Sequence, residues 1–88
     1  MESSVMIKIT VKVFAQLREQ LGVDELFLEL NEPVRLSAVI STLQKQHPNS
    51  SVLQQANLMA AVNQTMVQED CELHADDEIA LFPPVTGG

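Results

Sequence analysis

The residues best suited to a chemical role are the last two of the chain, Gly87 and Gly88, which follow Phe82-Pro83-Pro84-Val85-Thr86. Two consecutive prolines fix φ at about −65° and remove two backbone donors, so they favour an extended, semi-rigid arm over helix or central strand. Glycine has no Cβ, so another protein's backbone can approach the end of this arm closely. The pattern predicts a terminal carboxylate that is presented to a partner's active site.

The chemistry open to the Gly88 carboxylate is activation by a nucleotide. The residues from Pro83 to Gly88 reach about 20 Å when extended, at roughly 3.3 Å per residue, which suits insertion into a cleft. A carboxylate is an anion at neutral pH and a poor electrophile. It can, however, attack the α-phosphate of ATP and become an acyl-adenylate, which a sulfur or nitrogen nucleophile then takes. The alternative is a frayed terminus, which the Pro-Pro pair directly after a strand disfavours.

The composition is that of a small acidic domain. The chain has 88 residues and a net charge of −7, which predicts one domain and argues against nucleic acid as the main partner. The longest apolar run, Leu58 to Val62, is far shorter than the ~20 residues of a membrane-spanning helix, and the first residues lack a secretion signal. The single cysteine, Cys71, rules out an internal disulfide and fits a reducing compartment. We therefore expect a cytoplasmic protein with no nucleic-acid or membrane partner.

In the first half of the chain, the pattern of apolar and polar residues predicts a strand, a short helix, a second strand and a second helix. Apolar and polar residues alternate over residues 7–13 and 25–30, as in half-buried strands. Gly22 stands where the first helix would have its C-cap, and Pro48 ends the second. The two helices are predicted by apolar residues at helical spacing, which are Phe14, Leu17 and Leu21 for the first and Leu36, Val39, Ile40 and Leu43 for the second.

The second half predicts strands and a tail. A third strand over residues 58–62 turns at Asn63-Gln64 into residues 65–67, and the last strand covers residues 78–82. The fold class is therefore α+β, with one sheet and one main helix packed on one of its faces. Residues 1–82 form the domain, residues 1–5 being the segment least committed to structure, and residues 83–88 form a flexible tail.

The other face of the predicted sheet carries large apolar side chains. If Ile79 and Leu81 point to the core, Phe82 points away from it, because side chains alternate along a strand. Met66 and Phe14 stand at the ends of other predicted elements. Exposed apolar patches commonly mark interfaces, so these residues predict a docking surface. The alternative is a strand phase that is off by one, which would bury them.

Three stretches of the chain resemble one protein family. Residues 58–67 (LMAAVNQTMV), 77–88 (DEIALFPPVTGG) and 14–19 (FAQLRE) are similar to the small sulfur-carrier (MoaD-type) subunits of molybdopterin synthase, within the MoaD/ThiS ubiquitin-like family. The resemblance spans most of the chain after Met6 and is most specific over residues 58–88. Residues 31–57 resemble the family in little more than the pattern of apolar and polar residues.

The resemblance implies a β-grasp, ubiquitin-like fold with a mixed sheet, and a non-catalytic role in a two-stage cycle. An E1-like adenylating enzyme uses ATP to activate the terminal carboxylate, and a sulfur donor protein converts the adenylate to a thiocarboxylate. The carrier then inserts its tail into the large catalytic subunit of molybdopterin synthase, where the sulfur passes to cyclic pyranopterin monophosphate and forms the dithiolene. Two carriers and two large subunits make a heterotetramer. The carrier binds no cofactor of its own, because ATP is handled by the activating enzyme.

The resemblance also assigns roles to individual positions. Gly88 becomes the residue that bears the adenylate and then the sulfur, and Gly87 is the slim approach to it. The partner-binding positions are Phe14, Arg18, Met66, Phe82, Pro83, Pro84, Val85 and Thr86.

Three positions depart from the expected pattern, and one of them, Leu81, stands where an aromatic residue is common, which bears on packing rather than on function. Asp76 stands where the turn before the last strand commonly has glycine, and a residue with a Cβ at positive φ costs commonly about 1 kcal/mol. Arg35 stands where a Ser or Thr N-cap is expected, so the start of the main helix is weakly specified.

Other candidate chemistry is sparse. Cys71 could carry a persulfide, but its neighbours Asp70 and Glu72 disfavour a thiolate, so an incidental role is the preferred interpretation. His47 and His74 lack the spacing of zinc ligands. The acidic residues of 69–78 could bind calcium, but they lack the EF-hand pattern, so a solvated loop is preferred. We expect no metal site.

Two further functions fit the same tail. One is a sulfur carrier of the ThiS type that serves another pathway, such as thiazole formation. The other is a ubiquitin-like modifier whose terminal carboxylate forms isopeptide bonds with lysines. The Phe-Pro-Pro-Val-Thr lead into the glycines resembles the molybdopterin branch.

Overall fold

The computed structural model describes residues 5–84. Within this stretch, neither helix is long and apolar enough to cross a bilayer. In chain order, the elements are β1 (Met6–Val13), α1 (Ala15–Leu21), β2 (Glu25–Asn31), β3 (Val34–Arg35), α2 (Leu36–Gln46), β4 (Met59–Val62), β5 (Thr65–Val67), β6 (Glu72–Leu73) and β7 (Glu78–Phe82).

The main sheet has five strands in the order β2-β1-β7-β4-β5. Strand β7 runs parallel to β1 and antiparallel to β4, so the sheet is mixed, as the β-grasp expectation requires. The pairs β1–β2 and β4–β5 are antiparallel. Because the last strand lies in the middle of the sheet, the chain leaves β7 between two neighbouring strands.

One face of the sheet forms the core with both helices. In β7, Ile79 and Leu81 have no exposed surface, so the predicted phase of this strand is confirmed and the alternative phase is wrong. Helix α1 contributes Leu17, and α2 contributes three buried residues. The remaining buried residues of this core are Ile7, Ile9, Val11, Val13, Leu28, Val34, Val52, Leu53, Ala60 and Leu73.

The predicted helices form, but Phe14 does not belong to the first one. Phe14 is the N-cap of α1 in extended conformation, and its side chain is 42% exposed. The expected C-cap is confirmed, since Gly22 has φ 75° and its N–H donates to the Arg18 carbonyl. Helix α2 ends at Gln46, just before His47 and Pro48.

The middle of the chain contains structure that periodicity did not predict. Strands β3 and β6 pair as a separate two-stranded sheet. Val52 and Leu53 join the core from an irregular segment. That segment is held by the Gln20 carboxamide, whose oxygen accepts from the Ser50 hydroxyl at 2.7 Å and from the Val52 backbone at 3.1 Å. A helix residue thereby satisfies the polar groups of a loop that contributes to the core.

The turns adopt left-handed backbone conformations. Asn63 and Gln64 have φ 50° and 72°, as a two-residue hairpin turn requires at both central positions, so the predicted turn between β4 and β5 is confirmed. Asp76 has φ 68° at the position where glycine was expected. The Asn63 side chain donates to Asp77 at 3.0 Å and accepts from the Glu78 backbone at 3.0 Å, which joins the hairpin to the start of β7.

Candidate functional site

The candidate site begins at the end of β7. Phe82 pairs with Met59 on β4, and the half-buried Pro83 and Pro84 follow it. The expectations for Val85, Thr86, Gly87 and Gly88 lie outside the described residues. What the structure contributes is the surface around the point at which the chain leaves the sheet.

Phe14 and Phe82 meet at this point. Their ring centroids are 6.1 Å apart with an interplanar angle of 74°, an edge-to-face contact. The Phe14 backbone N–H donates to the Leu81 carbonyl at 3.2 Å, one residue beyond the Val13–Leu81 pair of β1 and β7. The chain then turns into α1 at Ala15, whose φ of 56° is left-handed and costs a residue with a Cβ about 1–2 kcal/mol.

The half of the sheet formed by β7, β4 and β5 carries a continuous apolar patch on its outer face. Register places Met59 opposite Phe82, and Ala61 opposite both Ala80 and Met66. Ala61 and Ala80 have small side chains and lie between the larger side chains of this surface. Met66 is 48% exposed. We call this surface, made of Phe14, Met59, Ala61, Met66, Ala80 and Phe82, the apolar patch. Three of the predicted partner-binding residues therefore lie on one surface.

Arg18 lies at the rim of that surface. It is exposed on α1, one turn after Phe14, whose carbonyl accepts from the Arg18 backbone N–H at 3.3 Å. A shallow depression of 290 Å³ runs beside it, lined by Lys12, Val13, Phe14, Arg18, Asp24 and Glu25. The guanidinium therefore stands where it can meet an anionic group of a partner that covers the patch.

The half of the outer face formed by β1 and β2 is polar. Lys12 forms an ion pair with Glu78 at 3.3 Å, and Lys8 lies 4.8 Å from the centroid of the Phe27 ring. Phe27 is 56% exposed, but charged neighbours on both strands surround it. The docking surface predicted from the sequence did not include Phe27. The register places Phe27 on β2, at the opposite edge of the sheet from Met66 on β5.

The acidic segment 69–78 has structural roles at several positions. Asp70 accepts hydrogen bonds from Arg35 Nε at 2.8 Å and from the Ser37 backbone at 2.8 Å. These two contacts, the first being the larger cause, lower the pKa of Asp70 to about 2. Asp77 accepts from the His74 backbone at 2.8 Å.

The alternative chemistry of this segment gains no support. Among residues 5–84, no group of three or more His, Cys, Asp or Glu side chains is arranged to hold a metal ion. Cys71 is a half-buried free thiol that packs against the edge of the core, and its backbone N–H donates to the side chain of Asp70 at 3.0 Å.

Comparisons with known proteins agree with the fold. The model of the ThiS family matches residues 11–88. The molybdopterin synthase sulfur carrier subunit of Escherichia coli (strain K12) is 41% identical over 81 residues, which cover 91% of this chain and 99% of that protein.

Two solved structures extend this comparison. A Pyrococcus furiosus protein, described as a candidate subunit 1 of the molybdopterin converting factor, has a TM-score of 0.77 and 34% identity, and the match covers 90% of this chain and 99% of that one. The small archaeal modifier protein 1 from Methanosarcina acetivorans has a TM-score of 0.75 and 26% identity, with 96% and 99% covered.

Proposed function

The chain belongs to the ThiS family, and from that premise we propose that it is the sulfur carrier subunit of a molybdopterin synthase. One observation carries the proposal beyond family membership. The apolar patch includes Phe82, the last residue of β7, so a partner that covers Met66 and Phe82 meets the chain at the point where it leaves the sheet. Relatives at 38–41% identity named as molybdopterin synthase sulfur carrier subunits support the same assignment.

The proposed cycle begins with the terminal carboxylate. An oxygen of Gly88 attacks the α-phosphorus of ATP in an E1-like enzyme, a new P–O bond forms, and pyrophosphate leaves. A sulfur nucleophile at the oxidation level of sulfide, supplied by a donor protein, then displaces AMP from the acyl carbon and leaves a thiocarboxylate. The carrier contributes the acyl group, and the activating enzyme supplies the ATP site.

The second stage takes place in the large catalytic subunit. The thiocarboxylate sulfur attacks a side-chain carbon of cyclic pyranopterin monophosphate, where a C–S bond forms as a C–O bond breaks and the oxygen leaves. Water then cleaves the acyl–sulfur bond, so that sulfur stays on the product and Gly88 returns as a carboxylate. Each carrier delivers one sulfur, so two transfers complete the dithiolene. The carrier is thus a sulfur-donating subunit, and the catalytic groups belong to its partner.

The apolar patch is the proposed docking surface for the large subunit. Phe82 packs edge-to-face on Phe14 and pairs with Met59, and large, well-packed aromatic side chains often dominate binding energy. Arg18 at the rim supplies a charged contact that improves orientation more than affinity. The tail, from Pro83 through Gly87, is the segment that enters the catalytic cleft.

A second candidate function follows from the similarity to the small archaeal modifier protein 1. A modifier uses the same activated carboxylate but transfers it to lysine amines. The two functions leave different covalent products, so mass spectrometry distinguishes them.

The decisive measurement is the intact mass of the chain after incubation with its activating enzyme, ATP and a sulfide source. A sulfur carrier gains the mass of one sulfur in place of one oxygen at the terminus. A modifier instead becomes joined through Gly88 to lysines of target proteins, which then gain the mass of the whole chain less one water. Unchanged mass in the presence of active enzyme would remove the carrier assignment.

A matched pair of variants tests whether the terminus is the reacting group. An alanine added after Gly88 blocks thiocarboxylate formation, because the carboxylate is displaced by one residue. An alanine added before Met1 has no effect. Thiocarboxylate formation in both variants would contradict the proposed insertion of the tail, because the position of the carboxylate relative to β7 would then not matter.

A further inference from the structure

We propose that Phe14 and Ala15, at the corner between β1 and α1, position the end of β7 and so set the direction in which the tail leaves the sheet. The inference rests on the proposed function, because the direction matters only when the tail must reach a reacting centre in a partner. It gives Phe14 a role within its own chain, besides contact with a partner. Ala15 acts only through Phe14 and is a positioning residue.

Two contacts join Phe14 to the end of β7, and a third joins it to α1. Its backbone N–H donates to the Leu81 carbonyl at 3.2 Å, and its own carbonyl accepts from the Arg18 backbone N–H at 3.3 Å. Its ring packs edge-to-face on Phe82. On the other side of β7, Phe82 pairs with Met59. The last residue of the strand is therefore held from both neighbouring strands.

The left-handed backbone of Ala15 makes this arrangement possible. Phe14 is extended, with φ −133° and ψ 160°, and places its ring on the outer face of the sheet. One turn later, Leu17 is fully buried on the core side. The chain changes faces within this short distance because Ala15 adopts φ 56°. Unfavourable backbone conformations of this kind persist when the surrounding contacts determine them, and they cluster at functional sites.

The residues after Phe82 transmit the direction that the corner sets. Pro83 and Pro84 have a fixed φ and no N–H, so they cannot pair with a neighbouring strand to correct the path. A fully extended segment of six residues spans about 20 Å, so a change of about 10° in its starting direction would move its end by roughly 3 Å. Misplacement of a reacting group by about 1 Å can lower a rate about 100-fold. The corner should therefore affect the rate at which the carboxylate reacts more than the affinity of the carrier for its partner.

The test compares two substitutions of similar size at Ala15. Valine is β-branched and strongly disfavours positive φ, whereas asparagine tolerates it. Circular dichroism first establishes that both variants fold. ATP–pyrophosphate exchange by the purified activating enzyme then gives kcat and KM for each carrier. We expect Ala15→Val to lower kcat about tenfold with KM within about twofold of wild type, and Ala15→Asn to keep both values.

Equal kcat values for the two variants would overturn the inference, and so would a change confined to KM, which indicates a docking contact alone. A second measurement uses the wild-type protein and so remains possible if the valine variant does not fold. It tests whether the Phe14 ring contacts the Phe82 ring. Nuclear Overhauser effects between the Phe14 and Phe82 rings must appear in the free wild-type carrier, and their absence overturns the inference. Wild-type carrier that is not adenylated at all would instead refute the proposed function, and the positioning role with it.

Discussion

Asp70 caps helix α2 through Ser37. One carboxylate oxygen of Asp70 accepts from the Ser37 backbone N–H at 2.8 Å, and the other accepts from the Ser37 hydroxyl at 2.9 Å. The two residues are 33 positions apart in the chain. Arg35, the N-cap residue by position, makes no side-chain cap bond and instead donates to Asp70. The helix start is therefore specified by a contact between distant segments.

The first prediction concerns acid stability. The pKa of Asp70 is lowered from 3.8 to about 2, first by the Arg35 hydrogen bond and then by the Ser37 backbone. A carboxyl group with a depressed folded-state pKa contributes stability that is present above its unfolded pKa and is lost as the pH falls through the folded one. Asp70→Ala should therefore lower Tm at pH 7, and the difference from wild type should narrow between pH 4 and pH 2.

The control for this prediction is Glu69→Ala at the neighbouring exposed position. It removes one negative charge from the same segment and should leave Tm nearly unchanged, because exposed charges contribute little. Thermal unfolding followed by circular dichroism at several pH values gives both comparisons. A Tm difference for Asp70→Ala that stays constant from pH 7 to pH 2 would contradict the assigned role.

The second prediction concerns the turn before β7. Asp76 has φ 68°, so replacing it with glycine removes an unfavourable conformation. Part of the gain is offset because glycine is more flexible in the unfolded chain. Asp76→Gly should raise the free energy of unfolding by up to about 1 kcal/mol.

Ala75→Gly is the matched control for Asp76→Gly, since Ala75 is not among the described residues with positive φ. Glycine at this neighbouring position should lower stability by about 0.5–1 kcal/mol. Urea unfolding of both variants measures the difference. Loss of stability in Asp76→Gly would mean that the aspartate side chain makes a contribution larger than the backbone cost.

Sequence patterns predicted the elements whose apolar residues repeat regularly. The alternation in β1, β2 and β7 identified the core face, and the phase of β7 followed from Ile79 and Leu81, both fully buried. The same phase placed Phe82 on the outer face. The prediction of the patch thus depended on the alternation of side chains along one strand, which a single sequence reveals.

Contacts between distant segments were not predictable in this way. Val52 and Leu53 have no strand or helix period, and their burial depends on Gln20, 32 residues away from Val52. The cap on α2 depends on Asp70, which sequence reasoning assigned to a solvated acidic loop. Phe14 has helical spacing to Leu17, but the left-handed Ala15 turns it to the other face. In each case, tertiary hydrogen bonds or backbone geometry overrode the local pattern.

The third prediction concerns Cys71. The thiol is half-buried and packs against the edge of the core, and the proposed chemistry at Gly88 does not use it. Cys71→Ser should therefore leave the rate of thiocarboxylate formation within about twofold of wild type, and a buried hydroxyl without a partner costs roughly 1–3 kcal/mol of stability. Intact mass after incubation with activating enzyme, ATP and sulfide measures the rate. Loss of sulfur loading in a folded variant would restore the persulfide alternative.

The fourth prediction compares two phenylalanines on the same face of the sheet. Phe82 lies in the apolar patch beside Phe14 and Met59, whereas Phe27 lies on β2 among charged residues with Lys8 above its ring. If the apolar patch is the docking surface, Phe82→Ala should weaken binding to the large subunit by roughly 2–4 kcal/mol. Phe27→Ala should change it by less than about 0.5 kcal/mol, although Phe27 is the more exposed ring.

Isothermal titration calorimetry with the purified large subunit measures both affinities, after circular dichroism has established that each variant is folded. Both variants replace a phenylalanine with alanine and so lose the same apolar surface. A difference in their affinities therefore reflects where the side chain lies on the sheet and not its hydrophobicity. Similar losses for the two would mean that the partner covers the whole outer face, including its charged half. Unchanged affinity for Phe82→Ala alone would exclude Phe82 from the interface and move the docking surface away from the end of β7.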